Sequence, residues 1–463
     1  MSDPAFLLLG PSGIKRLRHW ARSVLGLDRA IGFTVLGRFW ASAAGLVTIA
    51  LIARFLSPAE QGYYYTFGSL VALQIVFELG FSFVILQLAT HERAHLAITD
   101  ADQIEGDPVA HARLASVLQK SVRWYSVAAL FLAAFLIAAG MRFFEVHQQA
   151  RLTVRWQLPW VVTALVACVT FQLDPVLSFM EGCGFVANVA RVRFFQAVTG
   201  SILAWLALAS HHGLFAPAMV ITGNACVSIA WLLSRRKLLL GLLKYDVGPH
   251  RIHWMAEVWS FQWRIAVSWL CGYFIFQLFN PVLFAYRGAV AAGQMGMSLS
   301  LAGALQAVSI SWINTKAAPF GALIARRQFD QLDRLFFRAL RQSVAVCAAG
   351  ASAILLAAIW LNAAHVRFAH RILAPALLAL LLAAALINVV VFAEALYLRA
   401  HKQEKFLLNS VLGAVLVAAS TLVLGKYFGA AGIVTGNFAI GLLTGLPLGT
   451  WVFVKYRRLW HAA

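Results

Sequence analysis

The sequence predicts an all-α polytopic membrane protein of twelve transmembrane helices in two parallel six-helix lobes, and three observations predict it. The 463 residues are 61% hydrophobic and only 12% charged, where a soluble domain carries about 25% charged residues. Apolar stretches of about 20 residues, long enough to cross a bilayer, recur twelve times along the chain. Finally, Ala218 to Val227 (AMVITGNACV) returns 213 positions later as Ala431 to Ile440 (AGIVTGNFAI). A repeat at half-chain distance implies a bundle built by duplication, a common plan among proteins that move material between leaflets or compartments.

Residues 1–30 form an N-terminal cytoplasmic segment. No cleavable signal is expected there: Phe6-Leu7-Leu8-Leu9 is too short for a signal core, and no basic residue precedes it. From Ile14 to Leu27 one helical face carries Ile14, Leu17, Trp20, Ala21, Val24 and Leu25, with Lys15, Arg16, Arg18 and Arg22 mostly off it. This pattern predicts a helix lying in the inner interface. Spans 1–6 follow at 31–54, 64–89, 123–143, 157–180, 192–211 and 214–234, giving an N-lobe over 31–235. A cytoplasmic linker at 236–259 leads to a C-lobe over 260–463. Its spans 7–12 lie at 260–286, 290–316, 339–361, 372–398, 405–425 and 428–454. The longest loop, Thr90 to Val122, is polar and expected to hold a short helix.

With both termini inside, inner segments carry 27 of the 38 Lys and Arg and outer segments 8, while Arg38, Arg264 and Lys316 lie within spans. This asymmetry supports an even number of crossings. It also spreads the net charge of +20 over many inner loops rather than one patch, so no nucleic-acid partner is implied. Six crossings separate the repeated decapeptides, so the halves enter the membrane in the same direction, related by an axis along its normal. Thr222-Gly223-Asn224 and Thr435-Gly436-Asn437 read as scaffold, with glycine for close packing and asparagine as a polar tie. The five cysteines show no close pairing, and four lie inside spans as small apolar fillers.

The stretch Arg54-Phe55-Leu56-Ser57-Pro58-Ala59-Glu60-Gln61-Gly62-Tyr63, with Ser69-Leu70, Phe77-Glu78-Leu79-Gly80, Gln87 and Thr90-His91-Glu92, resembles the first two spans of the Wzx-type polysaccharide flippases. Their superfamily also holds the MATE exporters and the peptidoglycan-precursor flippases. Tyr397-Leu398-Arg399-Ala400-His401-Lys402-Gln403-Glu404 is similar to the loop after span 10 in the same group. The resemblance implies a MATE-like flippase fold with two lobes around a central cavity. It further implies export of a polyprenyl-diphosphate-linked oligosaccharide across a bacterial inner membrane, for surface polysaccharides such as lipopolysaccharide or exopolysaccharide. The partners that follow are this lipid-linked oligosaccharide, membrane lipids, and polysaccharide polymerase and chain-length machinery.

A charge inside the bilayer costs about 2.5–3.5 kcal/mol on insertion scales, so each one needs a reason. In span 1, Thr34, Arg38, Ser42, Gly45 and Thr48 share one helical face, as do Gln74, Glu78 and Ser82 in span 2. At about 1.5 Å per residue, Arg38 lies roughly 10 Å and Glu78 roughly 16 Å from the inner ends. An Arg38–Glu78 pair facing the interior is therefore expected, either as a structural lock or as a substrate or proton site. Span 4 places Thr163, Thr170, Asp174 and Ser178 on one face, with Pro175 breaking the helix beside the acid. Asn280-Pro281 predicts a hinge in span 7. Arg264, Lys316 and Glu394, with Arg287 at the outer end of span 7, complete the candidate substrate-binding or coupling set. Apart from Arg287, all fall in the cytoplasmic half. They form either a charged vestibule for an anionic diphosphate headgroup or, for Lys316 and Glu394 above all, charges that snorkel to the headgroups.

His91-Glu92-Arg93-Ala94-His95 matches H-E-x-x-H, which on a helix presents two histidines to zinc with the glutamate as base. A catalytic zinc needs a third protein ligand, and this motif falls where span 2 leaves the membrane. No metal, cofactor or catalytic residue is therefore assigned. The expected function is transport by alternating access rather than enzymatic chemistry. One alternative is a MATE-type drug or cation antiporter, disfavoured by the lack of an acid in span 1. The other is a membrane polysaccharide polymerase or glycosyltransferase, disfavoured by the short outer loops.

Overall fold

The structure, a computed structural model, describes residues 29–99, 102–148, 154–401 and 405–461. Within them ten helices are long and apolar enough to cross a membrane, and two bent helix pairs, each counted as one span, bring the number to twelve. The chain is thus the all-α, twelve-span bundle that its apolar periodicity predicts. The expected interfacial helix at Ile14 to Leu27 lies outside the described residues.

Packing repeats at an interval of six spans. Span 1 (Arg29–Phe55) packs on span 5 (Val186–Ala209), span 5 on span 6 (Ala216–Ser234), span 3 (Pro108–His147) on span 4 (Gln157–Gly182), and span 4 on span 6. The second half repeats each pairing. The first helix of span 7 (Trp259–Phe276) packs on span 11 (Leu407–Phe428) and span 11 on span 12, which begins at Ala430. Span 9 (Phe329–Ala363) packs on span 10 (Pro375–Ala400), and span 10 on span 12. The repeated glycines sit at these contacts. A Cβ on Gly223 would fall 2.8 Å from the Gly200 Cα, and Gly436 presses against Ser420. Small residues let helices approach closely where lipid supplies no hydrophobic drive between them.

Several local expectations are corrected. Span 2 is two helical pieces, Pro58–Glu78 and Phe81–Arg93, meeting at 46°. The break falls at Leu79 (φ 48°) and Gly80 (φ 70°); glycine adopts this left-handed backbone freely, leucine rarely. Span 4, in contrast, runs unbroken from Gln157 to Gly182 through a buried Pro175. One lost backbone bond is tolerated where neighbouring helices hold the segment. Span 7 bends by 40°, between Phe276 and Phe279, just ahead of the expected hinge. Pro281 falls in the first turn of the new helix Phe279–Arg287, where a missing N–H leaves no bond unmade. In the loop after span 2 an antiparallel hairpin, β1 (Leu96–Ile98) with β2 (Ile104–Gly106), precedes the helical part that begins at Pro108. The Asp107 side chain then caps the Val109 and Ala110 N–H groups, and that helix continues straight into span 3.

Contact between the halves is concentrated at the expected outer ends, where the first piece of span 2 packs along span 8 (Ala289–Asn314). Gly62 lies against the Ala289 carbonyl there. The buried Gln61 carboxamide donates to the carbonyls of Gly293 (2.8 Å) and Arg371 (2.9 Å), and Arg371 Nη2 donates to the Leu56 carbonyl (2.6 Å). The Asn280 carboxamide donates to Ser69 Oγ (3.2 Å). Beneath this seam, Tyr63, Phe143 and Phe144 of the first half pack around Phe284 of the second, with Tyr63 and Phe284 centroids 4.8 Å apart. Such aromatic packing contributes both buried area and a specific geometry.

At the expected inner ends, polar ties replace rings. Arg113 Nε meets the buried Glu92 Oε1 at 2.8 Å and its Nη2 meets Glu257 Oε2 at 2.6 Å, joining the base of span 3 to the segment before span 7. The linker helix Arg236–Lys244 buries Leu238 and Leu242, and the Gln119 carboxamide donates to the Leu242 and Tyr245 carbonyls. In the second half, Asp333 accepts from Arg457 (2.9 Å from Nε) and from the Tyr397 hydroxyl (3.1 Å).

Candidate functional site

Two cavities stand in equivalent places, one in each lobe. The N-lobe cavity, about 440 Å³, is bordered by Gly45 and Thr48 of span 1, Tyr65 of span 2, Arg193 and Gln196 of span 5, and Asn224 of span 6. The C-lobe cavity, about 360 Å³, is bordered by Phe276 and Gln277 at the span 7 bend, Gln306 of span 8, Asn388 of span 10 and Asn437 of span 12. A neighbouring cavity of about 280 Å³ shares Gln306, Asn388 and Asn437 and reaches Ser268 and Cys271 of span 7. The repeated asparagines therefore border cavities in both lobes. They do not serve as the polar ties that the repeat implied: only the Asn224 backbone carbonyl accepts, from Gln196 and Ser228.

The sequence-predicted residues separate into three groups. Arg38 and Arg264 are exposed and, among the described residues, form no ion pair; Arg264 lies over its neighbour Trp263 at 5.5 Å. Arg38 stands seven residues before Gly45, and Arg264 seven before Cys271, so each shares a face with its lobe's cavity wall. The expected Arg38–Glu78 pair does not form, because span 1 packs on spans 5 and 8 rather than along span 2. Glu78 instead lies against Ser82 and within electrostatic reach of Asp174, and Asp174 in turn of Arg193. Arg193 Nη2 also stands 3.6 Å from Glu181 Oε2. Tyr125, 3.4 Å from Ser82 through its hydroxyl, closes the cluster.

Arg287, Lys316 and Glu394 stand elsewhere. Arg287 Nη2 donates to the Tyr427 carbonyl (2.6 Å) and the Lys426 carbonyl (3.3 Å), clamping span 7 to the end of span 11. Lys316 is half-buried at the foot of span 8, before the short helix Ala317–Ala325. Glu394 does not snorkel: it is 4% exposed, and its Oε1 accepts from Thr450 at 2.8 Å. It packs beside Gly449 of span 12, where Phe406 and Asn409 also approach.

Electrostatics outside the membrane are set by Arg113, which holds the Glu257 carboxyl below its ordinary range, helped by the His253 N–H. Burial lowers the His111 pKa; its ring stacks on Tyr245 at 4.1 Å. Glu92 is spent on Arg113, and the helix ends at Arg93, so His91 and His95 do not present one helical face. Among the described residues no group of His, Cys, Asp and Glu is placed to hold a metal.

Sequence reasoning missed Arg193, which lies at the inner margin of span 5 and reads there as an ordinary inner-loop cation. It also passed over Gln277, Gln306 and Asn388. Isolated carboxamides in apolar runs carry no periodic signal, and only the packing of four helices brings them together.

No protein-family model and no curated protein matches the chain. Solved structures do. An inward-facing MATE-family multidrug-resistance transporter of the MOP superfamily superposes with a TM-score of 0.57 at 13% identity, covering 90% of this chain and 99% of that one. The lipid II flippase MurJ, in an inward closed conformation, gives 0.56 at 12% identity, covering 91% of this chain and 89% of that one. A MATE in complex with MaL6 gives 0.54 at 14% identity, covering 93% and 97%. The chain has, over nearly its whole length, the two-lobed membrane fold that these transporters share.

Proposed function

We propose that the chain translocates a polyprenyl-diphosphate-linked oligosaccharide from the inner to the outer leaflet of a bacterial inner membrane, by alternating access between residues 31–235 and 260–463. The observation that carries this reading is the pairing of two lobe cavities beneath a closed seam, each with a first-helix arginine, Arg38 or Arg264, on the helix face that borders it. With the seam outward, as the charge asymmetry places it, the cavities are reached from the cytoplasmic side. The diphosphate is drawn in by Arg38 and Arg264 and meets Arg193 at the border of the N-lobe cavity, while the polyprenyl tail stays in lipid. Guanidinium groups suit this role because their planar forks match phosphate oxygens. Opening of the seam at Gln61, Gly62 and Arg371 then exposes the headgroup outward. The chain performs no covalent chemistry in this scheme and acts as a transporter in surface polysaccharide biosynthesis.

The test is an assay of lipid-linked sugar accessibility across reconstituted vesicles, comparing wild type with Arg38→Ala plus Arg264→Ala. Loss of flipping supports the cationic route; normal flipping by the double variant sinks it. One feature favours a second reading, a drug or cation antiporter: the acid pair Glu78 and Asp174 inside the N-lobe. Efflux of a lipophilic cation that depends on Asp174, without any flipping of sugar lipid, selects that reading instead.

A further inference from the structure

The two cavities differ in chemistry. In the N-lobe, Arg193 borders the cavity, with Asp174 and Glu181 beside it. In the C-lobe, among the described residues, no Asp, Glu, Lys or Arg borders the main cavity, and only Arg399 reaches the edge of its neighbour. What borders it instead is a ring of carboxamides: Gln277, Gln306, Asn388 and Asn437. None of their side chains hydrogen-bonds to another described residue, whereas the carboxamides of Gln61, Gln119 and Gln172 elsewhere in the fold are all engaged. Each free carboxamide offers two N–H donors and a carbonyl acceptor. Phe276 stands among them with half its surface exposed (49%).

We infer that the C-lobe cavity is a glycan subsite for uncharged sugar rings. The inference rests on the flippase reading above and adds which part of the headgroup each lobe holds. A sugar ring presents alternating hydroxyl donors and acceptors on its rim and apolar C–H faces. Converging carboxamides satisfy the rim, and an aromatic side chain covers the face, the pattern of a mostly apolar pocket with a few placed polar groups. The diphosphate stays with Arg193 and Arg38. The headgroup therefore lies across the lobes, its charged end in the N-lobe and its sugars in the C-lobe. An acidic sugar is disfavoured, because the described border of the main cavity carries no Lys or Arg to offset a carboxylate's lost hydration. The substrate class is accordingly a neutral glycan of hexoses or N-acetylhexosamines.

The experiment measures binding to the full-length protein in lipid nanodiscs with three probes: polyprenyl diphosphate without sugar, the same lipid bearing a neutral trisaccharide, and the same lipid with one hexose replaced by a hexuronic acid. The neutral glycolipid is expected to bind at least about tenfold tighter than the sugarless lipid, since a site built to hydrogen-bond hydroxyls discriminates against ligands lacking them. The uronic-acid probe is expected to lose most of that gain. Gln306→Leu plus Asn388→Leu, checked for unchanged monodispersity and thermal transition, is expected to close the gap while leaving sugarless binding intact. Equal wild-type binding of the sugarless and neutral probes overturns the inference and leaves the flippase reading standing. Tighter binding of the uronic-acid probe overturns it likewise. If none of the three lipids binds, the flippase reading fails and the glycan subsite with it. The wild-type comparisons decide these outcomes even where the double variant does not fold.

Discussion

Gly62 of span 2 lies flat against the carbonyl of Ala289 in span 8, so close that any side chain at position 62 collides with that backbone. The seam between the lobes depends on this contact as much as on the hydrogen bonds of Gln61. Gly62→Val is expected to wedge the seam apart and shift the population toward a state open at that end. Ser300 borders both lobe cavities, and maleimide labelling of Ser300→Cys from the seam side, in a cysteine-free background, should rise by on the order of tenfold. Unchanged labelling would show that this contact does not control closure.

Arg113 joins two carboxylates of very different exposure, Glu92 at 6% and Glu257 at 34% of their side chains. Arg113→Ala leaves Glu92 buried and unpaired, a loss of about 3–5 kcal/mol. Glu257→Gln removes a partly solvated pair at a cost of under about 1 kcal/mol. Thermal denaturation of the two variants in the same detergent should separate them clearly, and similar shifts would contradict the assignment.

Acid should weaken the same inner region in two stages. The folded state lowers the pKa of His111 by burial, so its contribution is full above the ordinary value of 6.5 and is lost as pH falls through the lowered one. Glu257, held down by Arg113, contributes fully above 4.5 and loses that contribution at lower pH still. A melting temperature followed from neutral pH downward should show both declines. His111→Phe should abolish the first and spare the second.

Arg193 offsets the charges of Asp174 and Glu181. Arg193→Ala should slow flipping on the order of tenfold, given about 1.5–3 kcal/mol for a charged hydrogen bond to substrate. A double variant that adds Asp174→Asn relieves the uncompensated acid and should recover stability without recovering rate. Recovery of both would make Arg193 purely structural.

The expected inner end of the C-lobe depends on Asp333, which gathers Arg457 and the Tyr397 hydroxyl. Asp333→Ala should cost about 2–3 kcal/mol, because the guanidinium and phenol both lose a charge-assisted partner. Limited proteolysis near the C-terminus would report the loosening; identical digestion patterns would count against it.

Span number and the pairing of halves were legible because each follows from local quantities: apolar length and a repeated decapeptide. The break in span 2 was not, since Leu79-Gly80 sits in an apolar run and nothing local marks a left-handed pair. Helix-face arithmetic gave Arg38 and Glu78 compatible depths yet the wrong partners. Depth is a property of one helix, whereas neighbours depend on which helices pack. Arg38 and Arg264 both stand early in the first span of their half, and the structure puts each on the face that borders its lobe's cavity. Of the C-lobe carboxamides only Asn437 was marked, by the repeat; Gln277, Gln306 and Asn388 carried no signal, because a neutral polar side chain inside an apolar run breaks no rule until its surroundings are known.

The left-handed step at Leu79-Gly80, seated on Ile265 of span 7, separates a segment docked on span 8 from a segment docked on span 4. One helix therefore has its two ends fastened to opposite halves of the protein. In any rocking motion the swivel must fall at these two residues, so the mechanical border between the moving parts runs through the middle of span 2. The repeat divides the chain into two similar halves, but the packing fastens half of span 2 to the other one.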